Sequence, residues 1–160
     1  MRPTGTGDGI QVLTFALGAE EYGVPILNVQ EIKGFSAITP IPNTPPYVKG
    51  VMNLRGTIVP VLDLRLRLGM PPAPYGPFTV IIVLAAGTRV VGAIADAVSD
   101  VLTIPDARIQ PTPSFGTAVD VRFIAGIAQA EDKLVVLLDV DTMLRHDDLA
   151  ALDDPSGLSD

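Results

Sequence analysis

Short apolar runs bounded by Gly, Pro and Asp dominate the chain. Residues 11–17, 21–26, 57–62, 78–84, 89–95 and 133–140 are rich in Val, Ile and Leu, which predicts β-strands. Gly18-Ala19-Glu20 and Ala85-Ala86-Gly87-Thr88 predict hairpin turns between two of these pairs. Pro25 would remove a ladder donor within its run and so predicts an edge strand or a bulge. Helical signals are minor, at 64–68 and 141–152, with Asp141 or Asp147 as the N-cap of the latter. Short strands with regular turn signals predict an all-β fold of small barrels or sandwiches.

The pattern occurs twice. Residues 50–64 lie over 126–140 without a gap, so that Gly50 meets Gly126 and Leu62-Asp63-Leu64 meets Leu138-Asp139-Val140. Upstream, residues 22–32 lie over 91–101, and the same spacing brings Pro42 onto Pro111. The apolar frame is shared while polar positions differ: Arg55 meets Glu131, and Glu31 meets Asp100. Two copies predict pseudo-symmetric subdomains, each marginal alone and sharing a core. Pro71-Pro72-Ala73-Pro74-Tyr75-Gly76-Pro77 predicts the joint between them. The expected organisation is a flexible tail over 1–9, a first barrel over 10–70, the joint over 71–77, a second barrel over 78–145 and a helical, acidic tail over 146–160.

Composition narrows the function. The chain has 160 residues, 48% of them hydrophobic and 18% charged, with a mean hydropathy of +0.40, so much of it is buried or awaits a partner. A net charge of -7 with no basic cluster argues against nucleic acid. Cysteine is absent, which removes disulfides, thiolate catalysis and thiolate metal sites and fits a reducing compartment. No signal peptide is legible at the N-terminus, and the longest apolar run, 80–86, is too short to span a bilayer.

Candidate chemistry is sparse. The single histidine, His146, sits in a polar stretch and reads as solvated, which leaves neither a Ser-His-Asp arrangement nor an ordinary zinc site. No phosphate-binding glycine loop occurs. Asp63 and Asp139, equivalent in the repeat, are the sharpest catalytic alternative, because paired carboxylates can share a proton as in aspartic proteases. Their position at strand ends favours capping of turn amides instead. Asp96, Asp100 and Glu31 could be imagined as a metal cluster, but Asp96 has the apolar repeat partner Leu27 and reads as solvated or turn-capping. Interaction, without cofactor or metal, is the default function.

Three stretches together resemble the CheW family of chemotaxis coupling proteins. They are Asn28-Val29-Gln30-Glu31-Ile32-Lys33-Gly34, Ile41-Pro42-Asn43-Thr44-Pro45-Pro46-Tyr47-Val48-Lys49-Gly50, and Asn53-Leu54-Arg55-Gly56-Thr57-Ile58-Val59-Pro60-Val61-Leu62-Asp63-Leu64-Arg65. Val91-Gly92, Asp96-Ala97-Val98-Ser99-Asp100-Val101 and Leu137-Leu138-Asp139-Val140 resemble the family's later motifs, so the likeness runs over about 12–144. It implies two five-stranded SH3-like β-barrels about a pseudo-two-fold axis. It also implies a non-catalytic cytoplasmic adaptor, monomeric when isolated and recruited to membrane receptor arrays without inserting into the bilayer. Its partners would be the cytoplasmic tips of methyl-accepting chemoreceptors and the regulatory domain of the histidine kinase CheA. The kinase's own domain and couplers carrying a receiver domain share these motifs, and the span of the chain favours the free-standing coupler. Control of an output other than flagellar motility is the alternative.

The receptor's helical tip is expected in a groove between the barrels, lined by Val29 and Ile32 and by their repeat partners Val98 and Val101. Glu31 and Arg55 are expected to pair at that site. Gly50, Gly56 and Gly126 are expected to serve backbone conformation. Met52, Leu54 and Ile58 are the candidate kinase contacts.

Overall fold

The computed structural model describes residues 9–111 and 121–144. The strands are β1 (Gly9–Leu17), β2 (Glu20–Pro25), β3 (Val29–Gly34), β4 (Val48–Leu54), β5 (Thr57–Asp63), β6 (Val80–Ala86), β7 (Arg89–Ala95), β8 (Ala97–Pro105), β9 (Ile109–Gln110), β10 (Ile124–Ala130) and β11 (Lys133–Leu138). Two short helices follow β5 and β11: α1 (Leu64–Arg67) and α2 (Val140–Leu144). The fold is all-β, as expected. His146, Asp147 and the expected tails, apart from Gly9 in β1, lie outside the described residues.

The strands form two sheets with the same internal order. One runs β8-β1-β2-β11-β10-β9 and the other β3-β6-β7-β5-β4. Each curls shut through its own chain. β8 and β9, at opposite ends of the first sheet, are joined by the short turn at 106–108. In the second, Thr39, just beyond β3, exchanges both backbone hydrogen bonds with Val51 of β4 at 2.9 Å.

This membership corrects the contiguous division at 10–70 and 78–145. Hairpin β1–β2 stands between β8 and β11, and hairpin β6–β7 stands between β3 and β5. The other strands of each half leave two open edges, and the hairpin of the other half closes them, antiparallel on one side and parallel on the other. One barrel is therefore continuous over 29–95 and the other is assembled from 9–25 and 97–138. The Pro-rich stretch 71–77 connects α1 to β6 inside the continuous barrel, not one barrel to the other. Pro25 is also corrected: it ends β2, an interior strand, where the chain turns through 26–28 into the other sheet.

Burial explains the apolar content. In β6, Ile81 and Val83 pack inside the continuous barrel with Met52, Leu54, Val59, Val61 and Ile94. The alternate residues Ile82 and Leu84 join a larger core with Leu13, Phe15, Leu17, Tyr22, Leu62, Phe123 and Leu138, drawn from both barrels. Val12, Ile104, Ala128, Val135 and Leu137 fill the other barrel. A strand flanked by two cores reads as a continuous apolar run, which is why β6 shows no alternation.

Bulges respect the repeat. Register shifts at Lys49 of β4 and Ala125 of β10 precede Gly50 and Gly126. A Cβ on Gly50 would lie 2.1 Å from the Thr39 carbonyl oxygen, and one on Gly126 would lie 2.9 Å from that of Gln110. Both glycines thus stand where a barrel closes, and Gly50 also has a φ of 145°. Gly56 differs, with φ 90° and open space around it. Replacing each by Ala should destabilise by about 3 kcal/mol or more at Gly50, about 1–2 kcal/mol at Gly126 and about 1 kcal/mol at Gly56. Urea unfolding of the three variants would check the order, and a Gly50 variant no weaker than the Gly56 one would contradict it.

Candidate functional site

The barrels meet along the shared core, and β3 and β8 are the equivalent end strands of the two sheets that form that seam. Residues three apart in a regular strand point to opposite faces, so Val29 and Ile32 should diverge, as should Val98 and Val101. A bulge changes this in each strand. Val29 pairs with Leu84 and Ile32 with Ile82, because the register shifts at Gln30. Val98 pairs with Phe15 and Val101 with Leu13, because it shifts at Ser99. Directly opposed residues share a face. Leu84, Ile82, Phe15 and Leu13 all belong to the shared core. All four valine and isoleucine side chains therefore stand on the faces turned to the seam. Val29 and Val98 are half-buried against that core, while Ile32 and Val101 are exposed.

Glu31 takes the other face, opposite Val83. Its Oε1 lies 2.7 Å from Arg55 Nη1. Arg55 tips the β4–β5 hairpin, where its φ of 51° and Gly56's of 90° suit a two-residue turn. The Gly56 N–H donates to Asn53 Oδ1 at 2.8 Å, which fixes that turn. The pair thus reaches from one end of the sheet order to the other. With 70% of the Arg55 side chain exposed, against 28% for Glu31, water and salt screen it, and its value lies in orientation.

Met52 and Leu54 are corrected as kinase contacts, since both are buried inside the continuous barrel. Ile58, one strand over, is 62% exposed, and its repeat partner Leu134 is exposed as well.

Asp63 and Asp139 are helix caps. Asp63 Oδ1 accepts from the N–H groups of Arg65 and Leu66 at 2.9 and 3.4 Å, and its Oδ2 accepts from the Tyr75 hydroxyl at 2.7 Å. Burial first, and then the bond to Asp63, push the Tyr75 phenol well above its ordinary range, so it stays a donor. Asp139 Oδ1 accepts from the Thr142 N–H at 3.0 Å. Asp139, not Asp141 as expected, therefore caps the second helix. Both carboxylates are committed to their own helices, which is capping chemistry rather than a shared-proton pair.

Two features escaped sequence reasoning. Arg67 is buried with its guanidinium 4.5 Å from the Tyr47 ring centroid and 4.3 Å from that of Phe123. Those rings are repeat counterparts: Tyr47 O accepts from Asp63 N and Phe123 O from Asp139 N, each at 2.8 Å. The cation therefore sits between equivalent elements of the two barrels. The second is Asp96, read from sequence as solvated or turn-capping. It receives Arg65 Nε on Oδ1 at 3.0 Å and Nη2 on Oδ2 at 2.6 Å. The Arg65 bond is the main reason its carboxyl is held below the usual 3.8. Nothing in an aspartate after an alanine announces that pairing.

Among the described residues no cluster of His, Asp or Glu is arranged to hold a metal, and no helix is long and apolar enough to cross a membrane.

A family model described as CheW-like domain matches residues 11–148. The chain is 42% identical over 145 residues to the chemotaxis protein CheW of Klebsiella aerogenes, covering 91% of this chain and 87% of that one. It is 39% identical over 146 residues to the chemotaxis protein CheW of Rhizobium meliloti, covering 91% and 94%. The crystal structure of the scaffolding protein TtCheW from Thermoanaerobacter tengcongensis superposes with a TM-score of 0.81 at 33% identity, covering 88% of this chain and 95% of that one.

Two solution outcomes follow from these pairs. A double-mutant cycle of Glu31→Gln and Arg55→Gln should give a coupling of at most about 1 kcal/mol that fades in molar salt. A coupling of several kcal/mol, insensitive to salt, would contradict it. For Asp96 the folded carboxyl lies below its unfolded value, so its contribution is complete above the unfolded pKa and is lost as pH falls through the folded one. The stability gap between the parent and Asp96→Asn should therefore be flat near neutrality and shrink only in acid. A gap that widens on acidification would overturn the assignment.

Proposed function

The chain belongs to the CheW-like family, and on that footing we propose that it is a non-catalytic chemotaxis adaptor that joins chemoreceptor tips to a histidine kinase. The observation that carries the reading is the pair of equivalent bulges, at Gln30 and Ser99, which aim Val29 with Ile32 and Val98 with Val101 at one seam. An apolar strip with one row half-buried and the next exposed suits the apolar face of a helix laid in a groove. That is the surface a methyl-accepting receptor's helical hairpin offers at its cytoplasmic tip. Glu31 and Arg55 would orient the β4–β5 hairpin beside this groove.

The kinase's regulatory domain would use a barrel surface away from the seam. Ile58, exposed on β5, is the proposed contact. Binding on two separate surfaces lets one chain hold both partners at once, which is what an adaptor requires. The chain would act in the cytoplasm as a monomer until arrays recruit it. The capping roles of Asp63 and Asp139 speak against the hydrolase alternative.

Capture from native cytoplasm on the immobilised chain should recover both receptors and kinase. The identity of the captured receptors would tell flagellar from other outputs. Ile32→Lys and Val101→Lys should lose receptor capture and keep the kinase, with stability changed by only about 0.5 kcal/mol, since both side chains are exposed. Val29→Lys is the less clean test, because Val29 packs on the shared core. Ile58→Lys should show the converse loss. Undiminished receptor capture by both seam variants would refute the groove.

A further inference from the structure

The chain passes from one barrel to the other twice, through residues 26–28 between β2 and β3 and through Asp96 between β7 and β8. The repeat makes these crossings equivalent, yet they are built differently. At the second, the Asp96 N–H donates to Ala16 O at 3.1 Å, and Asp96 Oδ2 accepts from the Gly18 N–H at 2.7 Å. Ala16 and Gly18 belong to β1 and its turn, in the discontinuous barrel. The same carboxylate takes both guanidinium nitrogens of Arg65, which sits on the helix that follows β5 of the continuous barrel. One side chain therefore ties the barrels together.

Among the described residues the first crossing shows no equivalent carboxylate clasp. By the repeat, Leu27 stands for Asp96, Gly87 for Gly18 and Asp141 for Arg65. Leu27 is 66% exposed. The side-chain bond at this crossing, from Asn28 Nδ2 to Ala85 O at 2.9 Å, stays within the barrel that β3 enters. Motion of one barrel against the other is thus opposed by short, directional, charge-assisted bonds at one crossing and by non-directional apolar contact at the other.

We propose that Asp96 and Arg65 are positioning residues for partner binding: their one-sided bidentate clasp fixes the angle between the barrels and so the opening of the groove lined by Val29, Ile32, Val98 and Val101. The clasp is well placed for this. Asp96 immediately precedes β8, whose second residue is Val98, so a displaced Asp96 displaces one groove wall directly. Arg65 is only 17% exposed on its side chain, and its fork geometry resists rotation in a way a single contact does not. The inference rests on the reading of the seam as the receptor site.

The experiment uses the full chain carrying Asp96→Asn, Arg65→Lys, or the charge exchange Asp96→Arg with Arg65→Asp. Receptor-tip and kinase-domain affinities are measured for each. In parallel, the inter-barrel distance is read by electron-electron resonance from spin labels on Thr57→Cys and Lys133→Cys, equivalent exposed sites on a chain with no native cysteine. Asp96→Asn should broaden or shift the distance distribution and weaken receptor binding about tenfold, with kinase affinity changed less than about twofold. Arg65→Lys should fall between, and the charge exchange should restore part of the receptor affinity. If Asp96→Asn does not fold, Arg65→Lys is judged on the same two readouts. An unchanged distance distribution in a folded variant overturns the clasp. A changed distribution with parental receptor affinity overturns its positioning role. The groove itself fails on a different result, undiminished receptor capture by Ile32→Lys and Val101→Lys.

Discussion

The structure depends on one core that neither barrel owns. Phe15, Leu17 and Tyr22 come from the first hairpin, Ile82, Leu84 and Val91 from the second, and Leu62, Leu64, Phe123, Leu138 and Met143 from the elements around them. The interiors of the barrels are small by comparison. A barrel of this size would be marginal alone, and what stabilises the pair is that the strands between them are packed on both faces. Exchange of hairpins between the halves follows from the same need, since the remaining strands of each half have edges that only the other half's hairpin closes. The barrels are therefore mutually dependent, and a seam between them is a fixed feature of the fold.

A seam with equivalent walls is a place where function can be concentrated. Equivalent bulges place equivalent apolar residues on it from β3 and β8. Arg67 sets a cation against Tyr47 and Phe123, two aromatic members of the shared core. Away from the core the halves diverge: Arg55 against Glu131 at the hairpin tips, and Asp96 against Leu27 at the crossings. Shared apolar positions keep the architecture two-fold, and the unshared polar ones make the two halves chemically distinct.

Much of this was legible in the sequence, for reasons that also mark where it failed. Strands β1, β5, β6, β7 and β11 are legible because burial leaves them rich in Val, Ile and Leu, and β2 because the Gly18 turn and Pro25 bound it. Strands β3 and β8 are not, because Gln30 and Lys33 or Ser99 and Asp100 interrupt their apolar residues and their bulges break the period of two. The internal repeat placed Val29 with Ile32 and Val98 with Val101 on equivalent strands, as the register shows. It misplaced the barrel boundary, since a repeat in sequence says nothing about which half's edge a hairpin will close. Met52 and Leu54 neighbour the polar Asn53 and Arg55, yet in a strand neighbours point opposite ways, and both turn into the barrel. The pairs Arg65 with Asp96 and Arg67 with its two rings join residues far apart in the chain, and no local spacing predicts them.

As the proposed adaptor, one molecule of this chain would hold a receptor tip in the seam and a histidine kinase on a barrel surface at the same time, which co-sedimentation of the purified kinase with receptor-bearing membranes, with and without the chain, reads out. The kinase should pellet with the membranes only when the chain is present, and Ile32→Lys should abolish this. Kinase that pellets equally well without the chain, or that stays in solution when the chain itself is membrane-bound, would contradict it.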